Sequence, residues 1–217
     1  MPGKQHHELI FRGEDVMQRL AETHIVVCGA GAVGSNLVET LARQGAATIT
    51  VIDKDRVEEH NISTQVWLEE DVGAKKVDAL KNRVYDATGS EIEGVGRTLE
   101  QANVKKLLAD ADLVVDGFDN HASRALVSEH CRAAALPCLH VGLAADYAEV
   151  LWNEGYTVPR DPPDGPDVCD YPMARNLITL AVSLAAEVIV RFVADGSREA
   201  YTLTLGDLRV NREERDQ

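Results

Sequence analysis

The sequence has little positive charge, which argues against a nucleic-acid-binding protein. Its 22 lysine and arginine residues stand against 36 aspartate and glutamate residues, so the formal net charge of the 217 residues is −14. Phosphate backbones are bound by clustered lysines and arginines, and this balance does not favour such a surface. A smaller anion such as a nucleotide still fits if the few cations are concentrated in one pocket.

The sequence also lacks the usual marks of a membrane or secreted protein. No uninterrupted apolar run reaches the ~20 residues that span a bilayer. The first residues, MPGKQHHELIFRGED, contain no apolar stretch typical of a signal peptide. The four cysteines form no C-x-x-C pair and no dense disulfide spacing. We therefore expect a cytoplasmic protein without membrane attachment.

The pattern of apolar residues predicts an α/β fold. Short β-branched runs such as HIVVCG and TITVID alternate with amphipathic segments such as AVGSNLVETLARQ. This alternation is typical of a mainly parallel, Rossmann-like sheet with right-handed crossovers and helices on both faces. We expect one domain over residues 1–217, with an N-terminal helical segment at 1–22. A further helix is predicted from Asp71 to about Ala87, with Asp71 as its N-cap.

The order of elements changes near Tyr147. AEVLWNEGYTV predicts a strand at the sheet edge or in a second layer, and residues 155–172, rich in proline, glycine and aspartate, predict a crossover loop on the surface. MARNLITLAVSLAAEVIVRFVA is apolar nearly all round, which indicates a long helix buried in the core or in an oligomer interface. The last segment predicts two short added antiparallel strands around Gly206-Asp207.

A glycine motif predicts a nucleotide site. GAGAVG, from Gly29 to Gly34, matches G-x-G-x-x-G directly after a strand and at the start of a helix. Gly29 would make the tight turn, Gly31 would let a phosphate approach the backbone, and Gly34 would let the helix pack on the strand. The helix N-terminus adds about half a positive charge. Asp53 ends the next strand, about 20 residues on, where a carboxylate accepts ribose hydroxyls. This pattern fits NAD and ATP equally.

The residues after Asp53 resemble the activating enzymes of ubiquitin-like proteins, the ThiF/MoeB/HesA-type adenylyltransferases. That family carries D-x-D, N-x-x-R-Q and G-x-x-K in this order, and the matching residues here are Asp53, Asp55, Asn61, Gln65, Gly73 and Lys76. Upstream, Phe11-Arg12-Gly13 resembles the family's N-terminal arginine segment. Downstream, Gly117–Asn120 followed by Arg124 resembles its D-N-x-x-x-R turn. The resemblance extends from about Leu9 to Val193.

The resemblance implies an enzyme that uses ATP and Mg²⁺ to adenylate the C-terminal carboxylate of a ubiquitin-like or sulfur-carrier protein ending in Gly-Gly. By the same resemblance, Lys76 meets phosphate oxygens and Asp119 holds the metal ion or its waters. Arg12 reaches the ATP of a neighbouring subunit, so a homodimer is expected. The nucleotide-binding set is completed by Gly29, Gly31, Gly34, Asp53, Asp55, Asn61, Gln65 and Asn120.

The chain departs from the family pattern in two places. The arginine of N-x-x-R-Q is Thr64, which supplies neither charge nor a bidentate fork, and Arg56, Lys54 and Lys75 are candidates to replace it. Many relatives also have two C-x-x-C pairs that bind zinc, and because this sequence has none we expect no zinc site.

Cys169 lies in the predicted crossover loop and has two interpretations. In family members that go beyond adenylation, a cysteine in this region attacks the acyl-adenylate, which would make Cys169 catalytic. The flanking residues Asp167 and Asp170 disfavour a thiolate, so an inert loop thiol fits as well.

Other interpretations remain open from the residues alone. Lys76 fits a solvated lysine, Asp119-Asn120 fits a helix cap, and Arg12 could pair with Glu14 or Asp15. His140 fits a hydrogen-bonded core or rim histidine. An NAD-dependent oxidoreductase could use the same glycine loop, although neither a separate substrate domain nor a hydride-transfer acid/base pair is evident. A non-catalytic nucleotide-binding relative, inactive through the loss of its arginine, is the third possibility.

Overall fold

The computed structural model describes residues 3–160 and 172–213, which contain eight strands and seven α-helices. The strands are β1 (His24–Cys28), β2 (Thr48–Ile52), β3 (Glu93–Val95), β4 (Leu113–Asp116), β5 (Cys138–Ala144), β6 (Tyr147–Trp152), β7 (Ala200–Thr204) and β8 (Arg209–Glu213). The helices are α1 (His6–Arg12), α2 (Glu14–Glu22), α3 (Ala32–Gln44), α4 (Lys76–Thr88), α5 (Val104–Leu107), α6 (His121–Ala134) and α7 (Arg175–Asp195). Short 3-10 helices lie at Glu59–Asn61 and Glu69–Asp71.

The eight strands form one sheet in the order β3-β2-β1-β4-β5-β6-β7-β8. The five strands from β3 to β5 are parallel, and β6, β7 and β8 continue the sheet in antiparallel fashion. The chain leaves β1 for β2 on one side and later returns to β4 on the other. Open parallel sheets bind their ligands at such a reversal, outside the carboxyl ends of the strands.

The sheet separates two apolar cores, because successive side chains of a strand point to opposite faces. On β1, Ile25 and Val27 belong to the larger core, formed mainly with α3, α4 and α7. Val26 and Cys28 belong to a second core with α5 and α6 on the other face. The predicted fold class, a mainly parallel α/β sheet covered on both faces with an antiparallel C-terminal part, is therefore confirmed.

The place of β6 differs from the prediction. The strand was expected at the sheet edge or in a second layer, but it lies within the sheet between β5 and β7. The residues of β6 alternate between buried and half-buried positions, a pattern that an edge strand and an interior strand can both show. The difference arises because the terminal hairpin of β7 and β8 adds beside β6, and that pairing depends on residues about 50 positions away.

The start of α4 also differs. The helix begins at Lys76, not at Asp71, because Gly73 adopts a positive φ of 89° and Lys75 forms a β-bridge with Arg56. Asp71 instead ends a 3-10 helix, where its Oδ2 accepts a hydrogen bond of 2.8 Å from the Leu68 amide. The polar residue Asp71 predicted a helix cap from local sequence alone. The bridge between Arg56 and Lys75 keeps the chain extended up to Lys75, so α4 begins five residues later than predicted.

The long C-terminal helix α7 is a core helix along most of its length. Ile178, Ala185 and Ile189 are fully buried, and the helix packs against α2, α3 and β6. Among the described residues it is also the one helix long and apolar enough to cross a membrane, and half of its most apolar window is buried in the fold. The sequence predicted this helix, and the search for an uninterrupted apolar run did not select it as a membrane span because Thr179, Ser183 and Glu187 interrupt the run.

Three cysteines lie inside the second core and its border. Cys28, Cys131 and Cys138 are free thiols, and all three are buried. Burial, reinforced by the charge of Asp116, raises the pKa of the Cys28 thiol well above its ordinary value. These side chains therefore act as small apolar groups rather than nucleophiles.

The burial of α7 predicts a position-dependent loss of stability. Ile189→Ala, at a fully buried position, should lower the free energy of unfolding by about 2–5 kcal/mol, because it leaves a cavity in the larger core. Leu180→Ala, on the same helix but 42% exposed, should change it by no more than about 1 kcal/mol. Urea unfolding measures both. Equal losses at the two positions would contradict the orientation of α7.

Candidate functional site

A cavity of about 280 Å³ lies at the carboxyl ends of β1, β2 and β4. It contains the glycine loop, cationic side chains and a polar loop after β4. Its lining residues are Gly29, Gly31, Asp53, Lys54, Asp55, Lys76, Arg97, Thr98, Leu99, Gly117, Phe118, Asp119, Asn120 and Ser123. This is the edge of the sheet where the reversal of strand order predicts a ligand.

The three glycines of the loop have different structural requirements. Gly29 has φ of 97°, and its amide donates a 2.8 Å hydrogen bond to the Ile52 carbonyl, which turns the chain sharply after β1. A Cβ at Gly34 would lie only 1.8 Å from the Gly29 carbonyl oxygen, so α3 approaches the loop too closely for any side chain. A Cβ at Gly31 would meet nothing within 4 Å and would instead fill space at the cavity.

Asp53 connects the glycine loop to the end of β2. Its carboxylate is almost fully buried, accepting 2.6 Å and 2.7 Å hydrogen bonds from the amides of Ala30 and Asp55 on its two oxygens. An ionised carboxylate has about four acceptor sites, so these two bonds leave capacity for ribose hydroxyls. Asp53 therefore orders the glycine loop and also fits the predicted ribose contact.

Lys76 is not the solvated lysine that its sequence context allows. It is only 8% exposed, begins α4 and lines the cavity. Within the described part of the chain, its ammonium group makes no hydrogen bond or ion pair. The ammonium nitrogen remains accessible at the cavity surface, where an anionic group such as a phosphate would be its natural partner.

Two further cations line the cavity. Lys54 follows β2, and Arg97 follows β3 in the neighbouring position of the sheet. Arg97 was not predicted as a site residue, although its place just after a short strand is a signal that could have identified it. Together with Lys76 they concentrate positive charge in a protein of net charge −14.

The opposite wall of the cavity is the loop between β4 and α6. Asp119 is exposed at the cavity, and its Oδ1 accepts a 3.3 Å hydrogen bond from the side-chain Nδ2 of Asn120. Asn120 is the N-cap of α6, where its Oδ1 accepts from the Ser123 amide at 3.0 Å. The helix-cap interpretation thus holds for Asn120, while Asp119 is left facing the ligand space.

The donor set fits a magnesium ion that is shared with a nucleotide. The described residues contain no group of three or more His, Cys, Asp or Glu side chains that could hold a metal by themselves. Mg²⁺ usually takes one or two carboxylates and completes its shell with phosphate oxygens and water. Asp119 could supply the carboxylate, with Asp55 on the facing wall.

The structure does not bring Asn61 and Gln65 to this cavity. Both side chains are 7% exposed. Asn61 Oδ1 accepts from the Glu58 amide at 3.1 Å, and Gln65 Oε1 accepts from the Trp67 indole at 2.6 Å. These amides therefore hold the segment 58–67 in shape and do not line this cavity, and a contact of either with a nucleotide stays a prediction.

One of the three candidates to replace the arginine missing at Thr64 lines the cavity, namely Lys54. Arg56 instead donates a 2.6 Å hydrogen bond to the Gly73 carbonyl. Around Thr64 itself, the Arg175 guanidinium donates to the carbonyls of Ser63 and Gln65 at 3.2 and 3.3 Å. Arg175 also borders a second, larger cavity of about 530 Å³ lined by α3 and residues 62–68, away from the strand ends.

Arg12 lies away from the cavity of its own chain. Its guanidinium forms ion pairs of 2.6 Å with Glu8 and 3.0 Å with Glu187 on α7, not with Glu14 or Asp15. Burial alone lowers the pKa of Arg12, but the two carboxylates outweigh it and the pKa is raised. A role of Arg12 in a neighbouring subunit stays a prediction. Cys169 and its flanking aspartates lie outside the described residues.

These features define a nucleotide-binding α/β domain with a cationic phosphate site. The model of the ThiF family matches residues 4–195, and the chain belongs to this family. The resemblance found in the motifs is therefore confirmed.

The names of similar proteins refer to different substrates. The chain is 32% identical to the SAMP-activating enzyme E1 of Haloferax volcanii over 130 residues, covering 59% of this chain and 48% of that protein. It is 28% identical to the sulfur carrier protein ThiS adenylyltransferase of Bacillus subtilis over 153 residues, or 68% and 46% of the two chains. A tRNA threonylcarbamoyladenosine dehydratase of Escherichia coli is 31% identical over 133 residues, or 60% and 50%. The chain thus spans about half the length of these relatives.

Solved structures support the fold. The crystal structure of E. coli MccB superposes with a TM-score of 0.80 at 19% identity, covering 96% of this chain and 67% of that one. A structure of MccB with ATP gives a TM-score of 0.76 at 19% identity, covering 91% and 65%. At this identity the likeness establishes the shared fold.

The different environments of two glycines predict different outcomes for the same change. Gly31→Ala should fold normally, because its backbone suits alanine and the new methyl meets no atom, but it should weaken ATP binding at least about tenfold by keeping the phosphate from the loop. Gly34→Ala should lose about 4 kcal/mol or more of stability, because its methyl overlaps the Gly29 carbonyl.

Thermal unfolding and calorimetric titration distinguish the two effects. A stable Gly34→Ala protein would contradict the close approach of α3. Unchanged ATP affinity in Gly31→Ala would show that the phosphates lie elsewhere.

Proposed function

We propose that this protein is an ATP-dependent adenylyltransferase that activates the C-terminal carboxylate of a ubiquitin-like or sulfur-carrier protein. The observation that carries the proposal is the position of Lys76, whose largely buried side chain has no partner among the described residues and lines the same cavity as the glycine loop, Asp53 and Asp119. Relatives that are named as adenylyltransferases of sulfur-carrier proteins support the same reaction. The products would be an acyl-adenylate and pyrophosphate.

The charges of the cavity favour ATP over NAD. A triphosphate carries more negative charge than the diphosphate bridge of a dinucleotide, and the cavity offers Lys54, Lys76 and Arg97. The described residues form one continuous sheet, and they include no separate substrate domain of the kind expected for an oxidoreductase. The family membership points the same way.

The residues of the cavity have distinct roles in the proposed reaction. Asp53 accepts the ribose hydroxyls, and the backbone amides at the start of α3 hold the phosphates. An oxygen of the substrate carboxylate bonds to the α-phosphorus while the bond from that phosphorus to the departing pyrophosphate breaks. No protein nucleophile is needed, so catalysis consists of positioning and of stabilising charge.

Cations stabilise the charge that develops in this step. Lys76 and its neighbours Lys54 and Arg97 face the phosphate oxygens and favour departure of pyrophosphate. Asp119 would hold Mg²⁺, which when bound neutralises further phosphate charge. Cys169 has no part in this step and could act only afterwards, by attacking the activated carbonyl.

The substrate in this proposal is a carrier protein that ends in Gly-Gly. Relatives named as adenylyltransferases of sulfur-carrier proteins support a carrier substrate. Two terminal glycines would give a thin, extended tail that brings its carboxylate to the α-phosphorus. The partner in this proposal is therefore a small carrier protein with that terminus.

The proposal predicts that ATP with Mg²⁺ binds and that NAD does not. Lys76→Met should weaken ATP binding at least about tenfold, because a charge-assisted hydrogen bond contributes about 1.5–3 kcal/mol. Lys81→Met, an exposed position one turn further along α4, is the matched control and should bind as wild type. Calorimetric titration of the three proteins with each nucleotide measures this.

The same titration separates the rival functions. Binding of NAD without ATP would favour the oxidoreductase. ATP binding without ATP–pyrophosphate exchange, tested with a panel of carrier proteins ending in Gly-Gly, would favour a non-catalytic relative.

We further propose a homodimer in which Arg12 acts in the neighbouring subunit. Arg12 follows Leu9, Ile10 and Phe11, which are 39%, 69% and 81% exposed and present an apolar surface on α1. Burying this surface against a second copy would bring the arginine segment to the interface. Arg12 would then have to leave Glu187, so the ion pair would be broken on assembly or on ATP binding.

Hybrid dimers test this arrangement. Arg12→Ala and Asp119→Ala should each be inactive in ATP–pyrophosphate exchange, and an equal mixture should recover about a quarter of wild-type activity, because half of the dimers are hybrids with one intact site. Light scattering gives the oligomeric state. A strictly monomeric protein, or no recovery despite proven subunit exchange, would argue against the trans role.

A further inference from the structure

A buried polar pair lies directly behind the candidate site. Asp116 is the last residue of β4 and His140 is its register partner on β5, and both side chains are fully buried. His140 Nδ1 lies 2.8 Å from Asp116 Oδ2. Burying two such groups is costly unless all their hydrogen bonds are made, so their remaining partners are informative.

Each nitrogen of the His140 ring lies against an oxygen. Nε2 lies 2.9 Å from Asn153 Oδ1 and 3.5 Å from the Cys138 sulfur. The Ser128 carbonyl accepts from Asn153 Nδ2 at 3.0 Å, which fixes Asn153 Oδ1 as the atom that faces the ring. This arrangement accommodates a proton on each ring nitrogen, with the ring facing the Asp116 carboxylate.

The second oxygen of Asp116 holds the loop that forms the cavity wall. Asp116 Oδ1 accepts a 3.1 Å hydrogen bond from the Phe118 amide, and the preceding amide, of Gly117, donates to the Cys28 carbonyl at 2.9 Å. Phe118 immediately precedes Asp119. The orientation of the Asp116 carboxylate, set on one side by His140, therefore determines where the backbone places Asp119.

The ring of His140 also contacts the start of the predicted crossover loop. Tyr156 stacks on it with ring centroids 3.7 Å apart, and the Tyr156 hydroxyl accepts a 2.7 Å hydrogen bond from Arg124 on α6. His121, at the start of the same helix, lies 2.7 Å from the Pro159 carbonyl. The fully buried ring is thus covered by Tyr156, which is itself held by α6, and this contact restricts its movement.

We propose that Asp116 and His140 are positioning residues, a buried ion pair that fixes the loop from Gly117 to Asn120 and thereby sets the affinity of Asp119 for the magnesium ion of a bound nucleotide. This inference rests on the proposed function. Outer groups that orient a metal ligand typically affect metal affinity by about 10–100-fold. Neither residue touches the cavity, so both act through Asp119.

The expected effect is a selective loss of the magnesium-dependent part of ATP binding. In Asp116→Ala, the gain in ATP affinity on adding Mg²⁺ should fall by about 10–100-fold, while affinity without Mg²⁺ should stay within about twofold of wild type. Asp116→Asn should restore most of the gain, because the asparagine can accept from Phe118 and donate to a neutral His140 that keeps its Nε2 proton. Calorimetric titration with ATP alone and with ATP plus Mg²⁺ measures both.

Nuclear magnetic resonance of ¹⁵N-histidine-labelled protein tests the ion pair independently of nucleotide. Wild type should show both His140 ring nitrogens protonated at neutral pH, and Asp116→Asn should show Nε2 alone protonated. A single protonated nitrogen in wild type would overturn the ion pair. If Asp116→Ala does not fold, His140→Gln, which can still donate one hydrogen bond to Asp116, should show a smaller loss in the same titration.

The outcomes distinguish this inference from the proposed function. ATP binding with an unchanged magnesium dependence in folded Asp116→Ala or His140→Gln would overturn the positioning role alone. Failure of the wild-type protein to bind ATP under either condition would overturn the proposed function and the positioning role with it.

Discussion

The close approach of α3 to the turn after β1 is the constraint on which the rest of the site depends. A Cβ at Gly34 would lie 1.8 Å from the Gly29 carbonyl, so the helix reaches this position only with glycine. The approach directs the N-terminus of α3, with its partial positive charge, at the cavity. It also places the Ala30 amide 2.6 Å from Asp53, which joins the loop to β2. Loss of this contact would separate the phosphate site from the ribose site.

Local electrostatics explain how an acidic protein can offer a phosphate site. The cations that line the cavity come from three separate elements, and only their meeting at the strand ends makes a positive pocket. Lys76 lies in the cavity wall without a partner among the described residues, whereas Arg12 and Arg56 are occupied by carboxylates or carbonyls. On the opposite wall, the Asp116 carboxylate accepts from the Phe118 amide and lies against His140, next to the loop that carries Asp119.

The segment around Thr64 is held by hydrogen bonds to other parts of the chain. Arg175 binds the carbonyls on both sides of Thr64, and Asn61 and Gln65 hold the same segment through Glu58 and Trp67. This segment is thus rigid without the family arginine, and the cations of the cavity come from Lys54, Lys76 and Arg97 instead.

Local spacing in the sequence was enough to predict the alternation of strands and helices and the glycine loop with Asp53, because each follows from the position of a residue within one strand–turn–helix unit. Lys76 and Asp119, which line the same cavity, were named only through the resemblance to a family. The tertiary structure alone decided where separate units meet. It placed β6 inside the sheet through the pairing of a distant hairpin, moved the start of α4 through a bridge between Arg56 and Lys75, and brought Arg97 to the cavity from a three-residue strand. It also joined Asp116 to His140, 24 residues apart, as a buried pair. Contacts of this kind depend on strand order and register, which no periodicity within a single segment encodes.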